Sequence, residues 1–96
     1  MSAVIRYRTK PESADENQRL IENVFAELAA APAGLRYSSF RLADGVTFVH
    51  VVDGEGLPEL AAFQEFQRDL GTRLADDLTR EEAALIGSYR PDRSRR

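Results

Sequence analysis

The 96-residue sequence contains no cysteine and no tryptophan, and only one histidine, His50. Without cysteine there is no disulfide framework, thiolate zinc site, cysteine nucleophile or cysteine-held iron–sulfur cluster. One imidazole excludes a metal site built mainly of histidines within a single chain, and no metal is expected. No apolar run approaches the ~20 residues that cross a bilayer. Met1 to Lys10 lacks the apolar core of a signal peptide. A cytoplasmic protein with no membrane partner is the expectation. Acidic residues number 16 against 13 basic ones, a formal net charge of -3. That balance gives no reason to expect nucleic acid. The segment Arg90 to Arg96 holds four arginines and one aspartate. It reads as a flexible, solvated tail, with a polyanion-binding arm as the alternative.

What remains is an ordinary globular composition, 43% hydrophobic and 30% charged. The length allows one domain, taken as residues 1–90 followed by the tail at 91–96. So short a chain buries a modest share of its surface, which favours pairing with a second copy.

The pattern along the chain alternates between period 2 and period 3.6. Ala3 to Thr9 reads as a strand, with Ile5, Tyr7 and Thr9 on one side and Val4, Arg6 and Arg8 on the other. Ser13-Ala14-Asp15-Glu16 has the form of a capping box. A helix is expected from about Ala14 to Ala30, with Leu20, Ile21, Val24, Phe25 and Leu28 in one stripe and Glu22 and Glu27 outward. Pro32 and Gly34 close it. Leu35 to Ala43 and Val46 to Val52 read as two strands joined by a two-residue Asp44-Gly45 hairpin turn. That turn sets Arg41 opposite Phe48, Ser39 opposite His50 and Tyr37 opposite Val52. Phe40, Leu42, Val49 and Val51 fall on the other face.

A second helix is expected from Pro58, with Leu60, Phe63, Phe66, Leu70 and Leu74 on its apolar side and a weak point at Gly71. Asp76 to Glu82 reads as a polar connection and Ala84 to Tyr89 as the last strand. The order β-α-β-β-α-β predicts an α+β, ferredoxin-like sandwich: a four-stranded antiparallel sheet with both helices on one face. The bare sheet face, carrying large side chains, is then an interface.

Few residues carry chemistry. His50 is the one side chain whose ordinary pKa lies near neutrality, so it is the candidate base or proton relay. Ser39 and Tyr37 stand on its face. The bland readings are a half-buried strand histidine satisfied by Ser39 or water, and a histidine lining the dimer interface. Asn17 falls on the buried stripe of the first helix, where an amide needs partners. It is either a ligand-holding group or a residue of the helix start. Tyr7, with Tyr89, is expected to face a cavity. Phe25, Phe63 and Phe66 are core residues that would also wall an aromatic-binding pocket. Arg6, Arg8, Arg36 and Arg41 read as ion-pair partners, or as an arginine pair for a carboxylate. Phosphate loops and nucleophile elbows are absent.

The opening strand ending in Arg8-Thr9-Lys10-Pro11, the Gly34-Leu35-Arg36-Tyr37 start of the second strand, Thr47-Phe48-Val49-His50-Val51-Val52 and Leu60-Ala61-Ala62-Phe63-Gln64-Glu65-Phe66 together resemble the antibiotic-biosynthesis-monooxygenase-like group of the dimeric α+β barrel superfamily. The resemblance spans about residues 3–90. It implies a homodimer through the sheet face and a pocket between helices and sheet in each subunit. It also implies, for some members, oxidation of aromatic polyketides or quinols with neither metal nor flavin. No cofactor is therefore expected. The haem-degrading branch of that group uses a tryptophan, an asparagine and a helix-borne histidine; here tryptophan is missing and the histidine is in a strand. The tryptophan-dependent pattern of the polyketide oxidisers is missing too. The reading at this point is a cofactor-independent oxygenase of a small aromatic or quinol-type substrate, or a ligand-binding or interaction protein on the same scaffold. Candidate catalytic residues are His50 and Asn17. Candidate substrate-binding residues are Tyr7, Tyr37, Ser39, Phe25, Phe63 and Phe66.

Overall fold

The structure, a computed structural model, describes residues 2–30 and 34–89. The residues around Pro32 and the arginine-rich tail lie outside them. Strands β1 (Ser2–Arg8), β2 (Arg36–Arg41), β3 (Thr47–Asp53) and β4 (Thr79–Ala83) form one antiparallel sheet in the order β2-β3-β1-β4. Helix α1 (Ala14–Leu28) connects β1 to β2. Helices α2 (Ala61–Arg68) and α3 (Leu70–Arg73) connect β3 to β4. This is the ferredoxin-like split β-α-β arrangement that the sequence predicts.

The helices cover one face of the sheet. The core joins Tyr7 of β1 and Phe48 of β3 to Leu20, Ile21 and Val24 of α1 and Phe66 of α2. Period-2 alternation decides which strand residues enter it. Ala3, Tyr7 and Thr9 are buried, whereas Arg6 and Arg8 are exposed. On the uncovered face Phe40 is 53% exposed and Val51 37%.

The register counted back from Asp44-Gly45 is the one observed: Arg41 pairs with Phe48, Ser39 with His50 and Tyr37 with Val52. The turn itself is wider than two residues. Leu42 donates its amide to Thr47, and the Gly45 amide closes a turn onto the Leu42 carbonyl. The Asp44 carboxylate accepts the Thr47 hydroxyl and the amides of Val46 and Thr47. Those bonds hold its carboxyl below the usual carboxylate range, the Thr47 hydroxyl contributing most.

Four local expectations are corrected. Ser13 does not cap α1, because a 3-10 turn, Pro11–Ser13, runs straight into the helix and leaves Ser13 already helical. Glu27 does not face outward. It is half-buried and accepts the amides of Ala61 and Ala62 at 3.3 and 2.8 Å, so it caps α2 from the neighbouring helix. Pro58 lies in a separate 3-10 turn, Leu57–Glu59, and the second helix breaks at Asp69 rather than at Gly71. The last strand is the polar stretch Thr79–Ala83, whose register against Ser2 to Arg6 fixes it there. Ala84 to Tyr89 adopts no regular structure, and Leu85, Ile86 and Tyr89 are 57%, 100% and 90% exposed.

Gly54 is required where the loop after β3 passes the start of β2. Its φ is +104°, and a Cβ there would stand 2.4 Å from the carbonyl oxygen of Gly34. Glycine therefore permits the close passage of the loop that forms one rim of the cavity described next.

Candidate functional site: a histidine between two tyrosines

A cavity of about 730 Å³ opens between the sheet and the second helical segment. Tyr7, Tyr37 and His50 from three adjacent strands reach it, facing Phe63 and Phe66 of α2. Residues Gly54 to Glu59 form a rim, and Arg80 of β4 supplies a cation. The volume lies within the range of small-molecule sites.

Register explains why the three polar side chains meet. Ile5 is the cross-strand partner of His50, so Tyr7, two residues along β1, points to the same face beside it. Ser39 is the partner of His50 on β2, and Tyr37 is two residues away. The Tyr7 hydroxyl lies 2.7 Å from His50 Nε2. The Tyr37 and Ser39 hydroxyls lie 2.7 and 2.8 Å from Nδ1. Both nitrogens of the ring are thus engaged. The rings form a near-parallel row: Phe25 on Tyr37, Tyr37 on His50, His50 on Tyr7 and Tyr7 on Phe48, with centroids 5.0 to 5.7 Å apart and planes within 19°. Phe66 tilts across His50 at 5.7 Å.

Behind this row lies a polar cluster that the sequence reading did not assemble. Asn17 is fully buried and donates Nδ2 to the Tyr7 hydroxyl at 2.9 Å. Arg73, 4% exposed, donates Nε to Asn17 Oδ1 at 2.9 Å and an Nη to the Phe66 carbonyl at 2.7 Å. Its guanidinium also sits over the Phe66 ring, 5.3 Å from the centroid. Among the described residues Arg73 makes no ion pair. Its signal in sequence is position: seven residues after Phe66, it recurs on the same face of a helical pattern.

Electrostatics follows burial. Loss of hydration pushes the His50 pKa down to about 4. The expectation of a histidine titrating near neutrality is therefore corrected, because a charged imidazole here would be taken out of water with no carboxylate beside it. Burial raises both tyrosines, partly offset by the Asn17 bond at Tyr7 and by Ser39 at Tyr37. At neutral pH the site holds a neutral imidazole between two protonated phenols.

The sequence-predicted residues thus divide. His50, Tyr7, Tyr37, Phe63 and Phe66 line one cavity. Ser39 and Asn17 do not line it and act on its members. Phe25, 38% exposed, is stacked behind Tyr37. Tyr89 is exposed and shares no cavity with Tyr7. Of the strand arginines, Arg8 pairs with Asp76 and Arg41 with Asp15. Among the described residues no group of three histidine, cysteine, aspartate or glutamate side chains is placed to hold a metal ion, and no helix is long and apolar enough to cross a membrane.

No family model matches the sequence, and no curated protein does. Solved structures do match in fold. Rv0793 from Mycobacterium tuberculosis aligns with a TM-score of 0.72 at 16% identity, covering 92% of this chain and 97% of that one. An antibiotic biosynthesis monooxygenase aligns at 0.73 and 15%, covering 90% and 98%. A variant of SnoaB, a cofactor-independent oxygenase from Streptomyces nogalater, aligns at 0.60 and 14%, covering 88% and 92%. Over nearly its whole described length, the chain has the ferredoxin-like fold of solved antibiotic biosynthesis monooxygenase structures.

Proposed function

We propose that the chain is a homodimeric member of the antibiotic-biosynthesis-monooxygenase-like group and a cofactor-independent oxygenase of small phenol- or quinol-type aromatic molecules. One observation carries the reading: a neutral imidazole, held at both nitrogens by tyrosine hydroxyls, at an apolar cavity large enough for a flat aromatic ligand. Phe63 and Phe66 supply faces for stacking, as a flat aromatic ligand requires.

The chemistry asked of the site is proton removal. A bound aromatic hydroxyl loses its proton through a tyrosine hydroxyl to His50, and the electron-rich anion reacts with dioxygen. For an anthrone-type methylene, one oxygen atom becomes the ring carbonyl and the other leaves as water. His50, with a pKa of about 4, is a weak base in the free cavity. A phenolate formed beside it favours the imidazolium and raises that value during the step. Positioned proton transfer of this kind contributes about 10²–10⁴ in rate.

A second reading has its own support. Both His50 nitrogens are already satisfied by protein groups, as they would be in a protein that binds an aromatic ligand without turning it over. Oxygen uptake with a panel of hydroquinones and anthrones, run beside His50→Ala and Asn17→Ala, separates the two. Turnover lost in the variants with the fold retained supports the oxygenase. Saturable binding with no oxygen consumed supports the ligand-binding protein.

A further inference from the structure

The polar cluster behind the cavity has a direction, and its source is Arg73. A guanidinium has hydrogen-bond donors and no acceptor. Its Nε faces Asn17 at 2.9 Å, so the Asn17 oxygen must be the end turned toward it. The reversed amide would set N–H against N–H in a buried place. Asn17 Nδ2 is then committed to Tyr7, and the Tyr7 oxygen must accept. The one hydrogen of Tyr7 is left for the nearest acceptor, His50 Nε2, 2.7 Å away. An imidazole nitrogen that accepts carries no hydrogen, so the ring hydrogen is on Nδ1. From there it donates toward the Tyr37 and Ser39 oxygens. The hydrogen of Tyr37 finds no acceptor on the ring, which leaves Tyr37, a residue of the cavity lining, able to donate to a ligand there.

We propose that Arg73 is a positioning residue that, through Asn17 and Tyr7, keeps the His50 ring hydrogen on Nδ1 and so gives the two cavity tyrosines opposite roles. Tyr7 receives a proton from the ligand, and Tyr37 donates a hydrogen bond to it. The assignment of roles rests on the oxygenase reading; the position of the ring hydrogen does not. In the proton step the ligand O–H bond breaks as its proton joins the Tyr7 oxygen, and the Tyr7 O–H bond breaks as its proton joins Nε2. The products are a ligand anion, an intact Tyr7 and an imidazolium. The fitting ligand is an aromatic ring with a hydroxyl for Tyr7 and a second, accepting oxygen for Tyr37, as in a hydroxylated quinone or anthrone.

His50 is the sole histidine, so long-range proton–nitrogen correlation spectra of the ¹⁵N-labelled full chain at neutral pH report this ring alone. The expected pattern has the hydrogen on Nδ1 in the wild type. Arg73→Lys, still donor-only, keeps it there. Asn17→Asp presents an acceptor to Tyr7 while pairing with Arg73, turns the Tyr7 hydrogen around, and places a hydrogen on Nε2. A wild type with its hydrogen on Nε2 overturns the proposal, and that spectrum needs no variant to fold. A folded Asn17→Asp protein with the wild-type pattern overturns it as well. Absence of oxygen uptake beside the expected spectra removes the oxygenase reading and leaves the Arg73 assignment standing.

Discussion

Arg73 and Asn17, 56 residues apart in the chain, meet with Nε 2.9 Å from Oδ1, both of them buried. The contact joins the short helix α3 to the start of α1 and continues through Tyr7 to His50. A buried cation is costly unless its donors are satisfied; here they reach an amide oxygen and a backbone carbonyl, and the Phe66 ring faces the guanidinium.

Acid should weaken the fold through His50. Its folded pKa of about 4 lies below its ordinary 6.5. Between those values the unfolded chain takes up a proton that the folded chain refuses. The stabilisation is fully present above 6.5 and is lost as pH falls toward 4, by up to about 3 kcal/mol. Urea unfolding at several pH values checks this. His50→Gln should flatten the curve across that window relative to wild type, and an equal slope in both would contradict the assignment.

The oxygenase reading places the acid limb of the rate in the same region. His50 must be neutral to accept a proton, so turnover should persist well below pH 6.5 and fail as pH approaches 4. Initial rates over that range, taken only where circular dichroism shows a folded chain, provide the test. A half-maximal point near 6.5 would mean that His50 is not buried as described.

Glu27 caps α2 from α1. Removing the cap with Glu27→Ala should cost about 1 kcal/mol, read from denaturant midpoints. A change confined to a few tenths would show that solvent satisfies those amides as well as the carboxylate does.

The uncovered sheet face is the proposed dimer surface, since Phe40 and Val51 are exposed on it. Sedimentation at micromolar concentration should give about twice the 10.7 kDa chain mass. Phe40→Glu with Val51→Glu should shift it to monomer. A wild-type monomer under those conditions removes the dimer.

The strand pairing was legible because Asp44-Gly45 and the period-2 alternation pin a register, and one register brings Tyr37, Ser39 and His50 together. It survived a wrong turn type, since a turn Leu42–Gly45 leaves the same residues opposite one another. The last strand is not legible, because Leu85, Ile86 and Tyr89 carry the stronger β pattern, whereas pairing with β1 uses Thr79–Ala83. Local preference lost there to the ladder's geometry. The role of Glu27 is hidden in the sequence, because a helix pattern shows which face a residue occupies, not which neighbour's amides end beside it. Arg73 is hidden for a similar reason: an arginine on an apolar stripe reads as a solvated helix end until Asn17 is placed opposite. His50 was found by type, and its depressed pKa depends on burial that only the assembled fold supplies.

The central claim is that a bound ligand loses a proton along Tyr7 and His50. Tyr7→Phe tests it most directly, since it keeps the ring in the stacked row and removes only the hydroxyl. Ligand affinity and turnover should be measured side by side with whichever hydroquinone or anthrone the wild type oxidises. Affinity within about threefold of wild type and turnover lower by about 10²-fold or more is the expected result. Turnover by folded Tyr7→Phe at the wild-type rate would contradict the account.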